Sequence, residues 1–156
     1  PGGKTPYLIF EDADVDAVDI SADALAVAQR NVSEYGLAGR INLVRSDLFA
    51  NLPDKNYDLI ISNPPYVLAT AMESLPQEYH HEPAISLAGG DDGMDLVRRI
   101  LKDAAAHLSD EAVLVLEIGH ERRHFEHAFP RLEVAWLPTS AGDDAVLLVT
   151  RDALVR

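Results

Sequence analysis

Four consecutive residues, Asn63-Pro64-Pro65-Tyr66, combine hydrogen-bond acceptors with an aromatic ring. Proline has a fixed φ and biases the preceding residue toward extended backbone, so the Asn63 side-chain oxygen and the Pro64 carbonyl oxygen are held stiffly. Two converging acceptors suit the planar NH₂ group of an amide or an aromatic amine, and Tyr66 offers a face on which that group can pack. The alternative interpretation is a plain turn that ends a strand.

Two other patterns could do chemistry and are weaker. His120-Glu121-Arg122-Arg123-His124 matches the His-Glu-x-x-His pattern, in which two histidines one helical turn apart bind zinc. The segment is short and polar, with Phe125 and Phe129 as its expected anchors, so a solvated helix is the better interpretation and no metal is expected. Gly3-Lys4-Thr5 resembles the end of a phosphate-binding loop, but the upstream glycine and strand are lacking and a proline follows.

The elements that must position these residues follow from the hydrophobic pattern, in which strand-length apolar runs alternate with helical periodicity. The predicted strands are residues 14–20, 41–44, 57–62, 112–118, 133–137 and 145–150; the predicted helices follow the N-cap Ser21 up to Gly36, carry an apolar stripe over 97–108, and cover 121–129. This alternation predicts an α/β fold with a mostly parallel sheet and helices on both faces. The last two strands, joined by residues 138–144, are expected to form an antiparallel edge.

A long loop follows the third strand. Residues 66–90 exceed the length of about 12–15 at which structureless connections become uncommon, so we interpret the loop as functional. His80 and His81 lie in this loop and are candidates for substrate contact, although loop histidines are more often simply exposed. The loop begins at the carboxyl end of a strand, which is where open α/β sheets bind their ligands.

Composition excludes several classes of protein. The chain has 156 residues, the size of one domain, and 13 Lys+Arg against 26 Asp+Glu give a net charge of −13. Such a charge disfavours nucleic acid as a partner and favours a basic protein. No cysteine is present, which excludes disulfides and thiolate metal sites. The longest apolar runs have the length of strands, so we expect no membrane span and a cytoplasmic location.

Further segments match a known family. They are Ala17-Val18-Asp19-Ile20-Ser21, Arg45-Ser46-Asp47-Leu48-Phe49, Asp92-Gly93 and Glu117-Ile118-Gly119. With the Asn-Pro-Pro-Tyr motif, they make residues 13–154 resemble class I S-adenosylmethionine-dependent methyltransferases with a Rossmann-like fold, which modify the amide nitrogen of glutamine in proteins. The run Glu78-Tyr79-His80-His81-Glu82-Pro83 resembles the branch that acts on the third protein of the large ribosomal subunit, a basic substrate toward which an acidic enzyme would be steered.

The resemblance implies roles for particular residues. Asp19 would accept hydrogen bonds from the ribose hydroxyls of S-adenosylmethionine, while Asp47 and Leu48 would meet the adenine. On residue type alone, Asp19 is better explained as a local turn former, and Asp47 is equally well explained as one. Asn63 would contact both cofactor and substrate, and Asn63, Pro64 and Tyr66 would be catalytic, with Pro65 completing the substrate contacts.

The implied reaction is an in-line displacement, in which the glutamine amide nitrogen attacks the methyl carbon of a sulfonium. Acceptors at Asn63 and Pro64 would localise the nitrogen lone pair and aim it. Such positioning contributes on the order of 7–11 kcal/mol in ideal intramolecular cases, so neither a metal nor a strong base is required.

One family feature is absent from the sequence. The family opens with a strand and a glycine-rich loop, but residues 1–5 are no such loop and residues 7–10 lie too close to Asp14 for a parallel crossover. In the family this strand lies at the sheet centre, so its absence is expected to expose apolar neighbours. We therefore interpret residues 1–156 as a single methyltransferase domain, either defective or the carboxyl-terminal part of a longer enzyme.

Three alternative functions stay open. A release-factor glutamine methyltransferase would use the same motif on another protein. A DNA adenine methyltransferase would place the same acceptors around an adenine amine, but the charge of −13 counts against it. A non-catalytic interaction domain that has lost cofactor binding would explain the missing glycine loop.

Overall fold

The computed structural model describes residues 13–65, 92–140 and 142–156, which fall into two compact units, Pro1–Pro53 and Asp54–Arg156. The predicted functional loop over 66–90, with Tyr66, His80 and His81, lies outside the described residues, and so do residues 1–10. Within the described ranges, no helix combines the length and apolar character needed to cross a membrane.

The first unit is a strand–helix–strand arrangement. Strand β1 (Val15–Asp19) pairs in parallel with β2 (Ile41–Arg45), and α1 (Ala22–Glu34) connects them. The predicted N-cap is confirmed, because the Ser21 hydroxyl oxygen accepts the Ala24 N–H at 3.2 Å. Gly36, with φ of +68°, follows the end of α1 as predicted, in the left-handed conformation that glycine adopts without a Cβ clash.

The second unit holds a four-stranded sheet in the order β3-β4-β6-β5. Its elements are β3 (Tyr57–Ser62), α2 (Asp95–Ala104), β4 (Leu108–Glu117), α3 (Arg122–Ala128), β5 (Ala135–Thr139), β6 (Gly142–Thr150) and α4 (Arg151–Val155). Strands β3 and β4 are parallel, and β6 is antiparallel to both β4 and β5. Only β6 is therefore reversed, which confirms the predicted mostly parallel sheet with an antiparallel pair at its edge.

One face of this sheet forms the core. Buried side chains alternate along β4 and β6, as expected for strands with one covered face. They are Leu108, Ala112, Leu114 and Leu116 on β4 and Ala145, Leu147 and Val149 on β6. Helix α2 contributes a buried stripe of Val97, Ile100, Leu101 and Ala104. Its spacing is that of an amphipathic helix packed on a sheet.

Several boundaries differ from the prediction, among them the starts of β4, at Leu108 rather than 112, and of β6, at Gly142 rather than 145. Leu108, predicted as the last residue of the helical stripe, is the first residue of β4, because α2 ends at Ala104 and the His107 N–H turns back to the Ala104 carbonyl at 2.9 Å. A buried leucine four residues after Ala104 fits the helical period equally well, so periodicity alone could not separate the two. The fifth strand lies two residues later than predicted, over Ala135–Thr139, and the terminal helix α4 was not predicted.

Large apolar side chains are exposed on two strands. In the first unit, Val18 of β1 is 40% exposed and the adjoining Ile20 is 43% exposed; in the second, Leu59 and Ile61 of β3 are 50% and 55% exposed. Within the described residues, β1 pairs only with β2, and β3 pairs only with β4. These exposures agree with the expectation that a missing strand leaves apolar neighbours uncovered.

Candidate methyltransferase site

Asn63 and Pro64 directly follow the parallel ladder of β3 and β4. The last paired residues of that ladder are Ser62 and Leu116, and the chain leaves β3 immediately afterwards. Asn63 is exposed and Pro64 is buried, so the motif is anchored on the protein by its first proline and presents the asparagine to solvent. Pro65, half-buried, is the last described residue before Tyr66. The predicted acceptors therefore stand where a parallel sheet binds ligands.

Asp19 ends β1 in the first unit, and its carboxylate has a structural partner. Oδ1 accepts the backbone N–H of Ser21 at 2.7 Å, which fixes the turn between β1 and α1. This is the local turn that the alternative interpretation predicted. The side chain is exposed, and a carboxylate has acceptor capacity for several hydrogen bonds, so the turn leaves capacity for ligand hydroxyls.

Asp47 and Leu48 lie in the loop after β2, close to the end of β1. The Ser46 N–H donates to the Asp19 carbonyl oxygen at 3.0 Å, so both predicted aspartates sit at the same edge of the β1–β2 sheet. Leu48 has a φ of +50°, the one non-glycine residue in the described chain with a positive φ. Backbone outliers of this kind persist where surrounding contacts hold them, and they cluster at binding sites.

The sequence did not predict a role for Ser46 or Asn51. Ser46 is buried, and its Oγ accepts the backbone N–H of Asn51 at 2.8 Å. The Asn51 side chain in turn donates to the Arg45 carbonyl oxygen at 3.1 Å. These bonds close the loop that carries Asp47 and Leu48. Hydrophobic periodicity gives no signal for such a closure, because the closure depends on two side chains that lie five residues apart in an irregular segment.

In the second unit, α2 begins with a charged cluster just after the predicted loop. Asp92 accepts the Met94 N–H at 3.0 Å and an N–H of Arg98 at 2.9 Å. The Arg98 hydrogen bonds hold the pKa of the Asp92 carboxyl well below its usual value, at about 2. Gly93 has a φ of +75° and Met94 is fully buried, so the start of α2 is fixed by backbone, charge and packing together.

The His-Glu-x-x-His pattern does not lie on one helix. Helix α3 begins at Arg122, so His120 precedes it, and the carboxylate of Glu121 contacts the imidazole of His124 within the motif itself. Among the described residues, no group of three or more His, Cys, Asp or Glu side chains is arranged to hold a metal ion. The face of α3 instead supports the fold: buried Phe125 contacts Trp136 edge-on, with ring centroids 5.9 Å apart.

Comparison with known proteins defines the class. Residues 8–79 match the family model of the methyltransferase small domain. A methyltransferase from Pyrococcus furiosus superposes with a TM-score of 0.58 at 15% identity, covering 91% of this chain and 64% of that one. The Streptococcus mutans protein SMU.1697c in complex with SAH gives a TM-score of 0.58 at 12% identity, covering 88% and 75%. The fold is that of a class I methyltransferase.

Several curated relatives of the chain share one name. Proteins named ribosomal protein uL3 glutamine methyltransferase match at 60% identity over 94% of this chain in Bordetella pertussis, and at 43% over 95% in Francisella tularensis. The chain spans about half the length of these relatives, 49% and 47%. Over its own length, the chain is homologous to the ribosomal protein uL3 glutamine methyltransferases.

Proposed function

We propose that this chain is the catalytic part of an enzyme that transfers a methyl group from S-adenosylmethionine to the side-chain amide nitrogen of a glutamine in ribosomal protein uL3. The observation that carries the proposal is the position of Asn63 and Pro64 directly after the β3–β4 ladder. The names of the homologous relatives supply the substrate. The cytoplasm, where ribosomal proteins are made, is the proposed compartment.

The roles of the motif follow from its rigidity. The Asn63 side-chain oxygen and the Pro64 carbonyl oxygen each accept one N–H of the substrate amide, which turns the nitrogen lone pair out of conjugation and toward the methyl donor. Tyr66, outside the described residues, is proposed to pack on the flat amide, with Pro65 beside it. No proton needs to be removed before attack, because the amide nitrogen loses its proton after the new bond forms.

The first unit offers groups that fit the adenosine part of the methyl donor. Asp19 ends β1, and Asp47 lies in the loop directly after the neighbouring parallel strand β2, at the same edge of the sheet; acidic residues at such strand ends hold ribose hydroxyls in other folds. S-adenosylmethionine supplies an electrophilic methyl on a sulfonium whose thioether leaving group needs no acid. Asp19 would bind the ribose, Asp47 the exocyclic amine of adenine, and Leu48 the flat face of the base.

We further propose that the enzyme is longer than this chain and that its remaining part supplies the central strand and glycine-rich loop. The chain spans about half of its relatives, and apolar Val18, Ile20, Leu59 and Ile61 are exposed on β1, just after it, and on β3. The alternative is an interaction domain without cofactor binding. Calorimetry with S-adenosylhomocysteine distinguishes a cofactor-binding enzyme from an interaction domain. A micromolar Kd, which corresponds to a binding free energy of about −8 kcal/mol, excludes the interaction domain.

The decisive experiment is methylation of purified uL3, with the transferred methyl located by mass spectrometry of peptides. We expect a single methylated glutamine with the wild-type enzyme and at least about 100-fold less product with Asn63→Ala at equal enzyme concentration and time. A peptide-chain release factor is assayed in parallel as the second protein substrate, and adenine-containing DNA as the third. Methylation of the release factor or the DNA in preference to uL3 would refute the proposed substrate.

Charge provides an independent measure of the substrate class. The chain carries −13, so association with a basic ribosomal protein should be steered by the protein field. We expect kcat/KM for uL3 to fall steeply as salt rises from low to physiological ionic strength, while kcat changes little. A free glutamine-containing peptide without basic residues serves as the control and should show no such dependence.

A further inference from the structure

The loop between β2 and the end of the first unit is closed by two side chains. Ser46 is 3% exposed, and its Oγ accepts the Asn51 N–H at 2.8 Å. The Asn51 Nδ2 donates to the Arg45 carbonyl oxygen at 3.1 Å, across the same loop. The four residues between Ser46 and Asn51 are therefore bounded at both ends by hydrogen bonds, which limits the conformations that they can adopt.

Inside this closed loop, Leu48 has an unfavourable backbone conformation. Its φ of +50° lies in the left-handed region, where the Cβ of an L-residue crowds the following carbonyl oxygen. Glycine and asparagine adopt this conformation readily, whereas leucine does so only when surrounding contacts enforce it. The Ala50 N–H donates to the Asp47 carbonyl oxygen at 3.2 Å and closes the turn that contains Leu48, and the hydrogen bonds of Ser46 and Asn51 enclose that turn from both sides.

Ser46 also joins this loop to β1. Its backbone N–H donates to the Asp19 carbonyl oxygen at 3.0 Å, one residue beyond the paired Asp19 and Arg45 of the parallel ladder. One buried serine is thus bonded to the strand that ends in Asp19 and to the loop that carries Asp47 and Leu48. The hydrogen bonds of Ser46 therefore connect the two backbone segments that carry the aspartates.

We propose that Ser46 and Asn51 are positioning residues, which hold Asp47 and Leu48 at a fixed distance from Asp19 and so preform the surface that receives the adenosine part of the methyl donor. This inference rests on the proposed function. Neither residue needs to touch the ligand, because their effect passes through the backbone of the loop. A preformed site binds more tightly, since the loop does not lose conformational freedom on binding.

The test compares two asparagines in the intact protein. Asn51→Ala removes the bond to Arg45. Asn42→Ala is the matched control, since Asn42 is an exposed asparagine on β2, in the same unit, whose Nδ2 donates to the Asp16 carboxylate at 2.8 Å. Calorimetry gives the Kd of S-adenosylhomocysteine and of adenosine. We expect Asn51→Ala to weaken both ligands by the same factor, about threefold to tenfold, and Asn42→Ala to weaken neither.

Amide hydrogen exchange supplies a readout without ligand. In the free protein, we expect faster exchange of the Asn51 N–H in Ser46→Ala, because its acceptor is gone, and slow exchange in Ser46→Thr, which keeps the hydroxyl. Ser46→Thr should also restore the affinity that Ser46→Ala loses. Since Asn51 is exposed, Asn51→Ala keeps the test available should Ser46→Ala fail to fold.

Three results would overturn the inference. If Asn51→Ala binds both ligands as tightly as wild type, the closure does not position the site, and the proposed function is untouched. If Asn51→Ala and Asn42→Ala weaken binding equally, the effect is general destabilisation of the sheet. If the wild-type protein binds neither S-adenosylhomocysteine nor adenosine, the inference and the proposed function fail together.

Discussion

The carboxylate of Asp19 accepts the backbone N–H of Ser21 at 2.7 Å, so the residue expected to bind ribose also holds the turn that starts α1. The two roles use different properties of the side chain. The turn needs one oxygen acceptor at the end of a short side chain, whereas ribose hydroxyls are bound more strongly by a charged acceptor. Substitutions can therefore separate them.

Asp19→Asn keeps an oxygen that can accept the Ser21 N–H but removes the charge. We expect this variant to lose about tenfold in affinity for S-adenosylhomocysteine, because a hydrogen bond to a charged group contributes about 1.5–3 kcal/mol, while its unfolding free energy stays near that of wild type. Asp19→Ala should lose the affinity and also about 1 kcal/mol of stability. Calorimetry and urea unfolding measure the two quantities. Equal stability of the two variants would contradict the structural role of the turn.

Asn63→Ala should separate catalysis from folding. Asn63 is exposed, so its loss costs little packing, and we expect a change in unfolding free energy within about 0.5 kcal/mol. Turnover should fall at least about 100-fold, because an amide that is not held in line reacts slowly. Asn56→Ala, an exposed asparagine before β3, is the matched control and should retain full turnover. Comparable losses of stability and turnover in Asn63→Ala would mean that the motif is only a turn.

Sequence predicted the elements well where one physical signal dominated. The Ser21 cap, the Gly36 stop and the strand 57–62 were all found, because capping side chains, left-handed glycines and continuous apolar runs each have one common cause. Leu108 was assigned to the wrong element because helix and strand both bury it. The strand over Ala135–Thr139 was placed two residues early, since its alternation is weak and its partner β6 sets the register.

The site was only partly accessible from sequence. The motif at Asn63 and the aspartates at 19 and 47 were singled out because of their residue types and their positions after strands, and their roles in binding stay predictions. The loop closure by Ser46 and Asn51 was not, because it depends on a left-handed Leu48 that no residue preference predicts. A non-glycine residue with positive φ is a tertiary property, enforced by hydrogen bonds across the loop rather than by its own type.

Substitutions at Leu48 measure the free-energy cost of its left-handed backbone conformation. Leu48→Ala and Leu48→Gly both remove the side chain, but only glycine adopts a φ of +50° without crowding its Cβ. We expect Leu48→Gly to be more stable than Leu48→Ala by about 0.5–1 kcal/mol, the left-handed penalty less the greater backbone entropy that glycine loses on folding. Urea unfolding of the two variants measures which is the more stable. At Ala26, an exposed position inside α1, the change from alanine to glycine should instead destabilise. A Leu48→Gly variant less stable than Leu48→Ala would show that the residue is not held in the left-handed region.

The ion pair of Asp92 and Arg98 predicts a particular pH dependence. Hydrogen bonds from Arg98 lower the pKa of Asp92 from 3.8 to about 2, so the folded state binds the proton of this carboxyl less readily than the unfolded chain does. The stabilisation is therefore fully present above pH 4, decreases as the pH falls, and is lost near pH 2. Because the Arg98 and Asp92 side chains are 43% and 38% exposed, solvent screening limits it to about 1 kcal/mol.

Asp92→Asn keeps the acceptor for the Met94 N–H and removes the charge, so it isolates this ion pair. We expect the variant to be about 1 kcal/mol less stable than wild type at pH 7, with the difference closing between about pH 4 and pH 2. Asp95→Asn is the control, since Asp95 also contacts Arg98, at 3.1 Å, from a more exposed position on α2. Asp95→Asn should lower the unfolding free energy by less than Asp92→Asn does. Urea unfolding at a series of pH values gives both curves, and a difference between wild type and Asp92→Asn that stays constant down to pH 2 would show that Arg98 does not stabilise the charged form of Asp92.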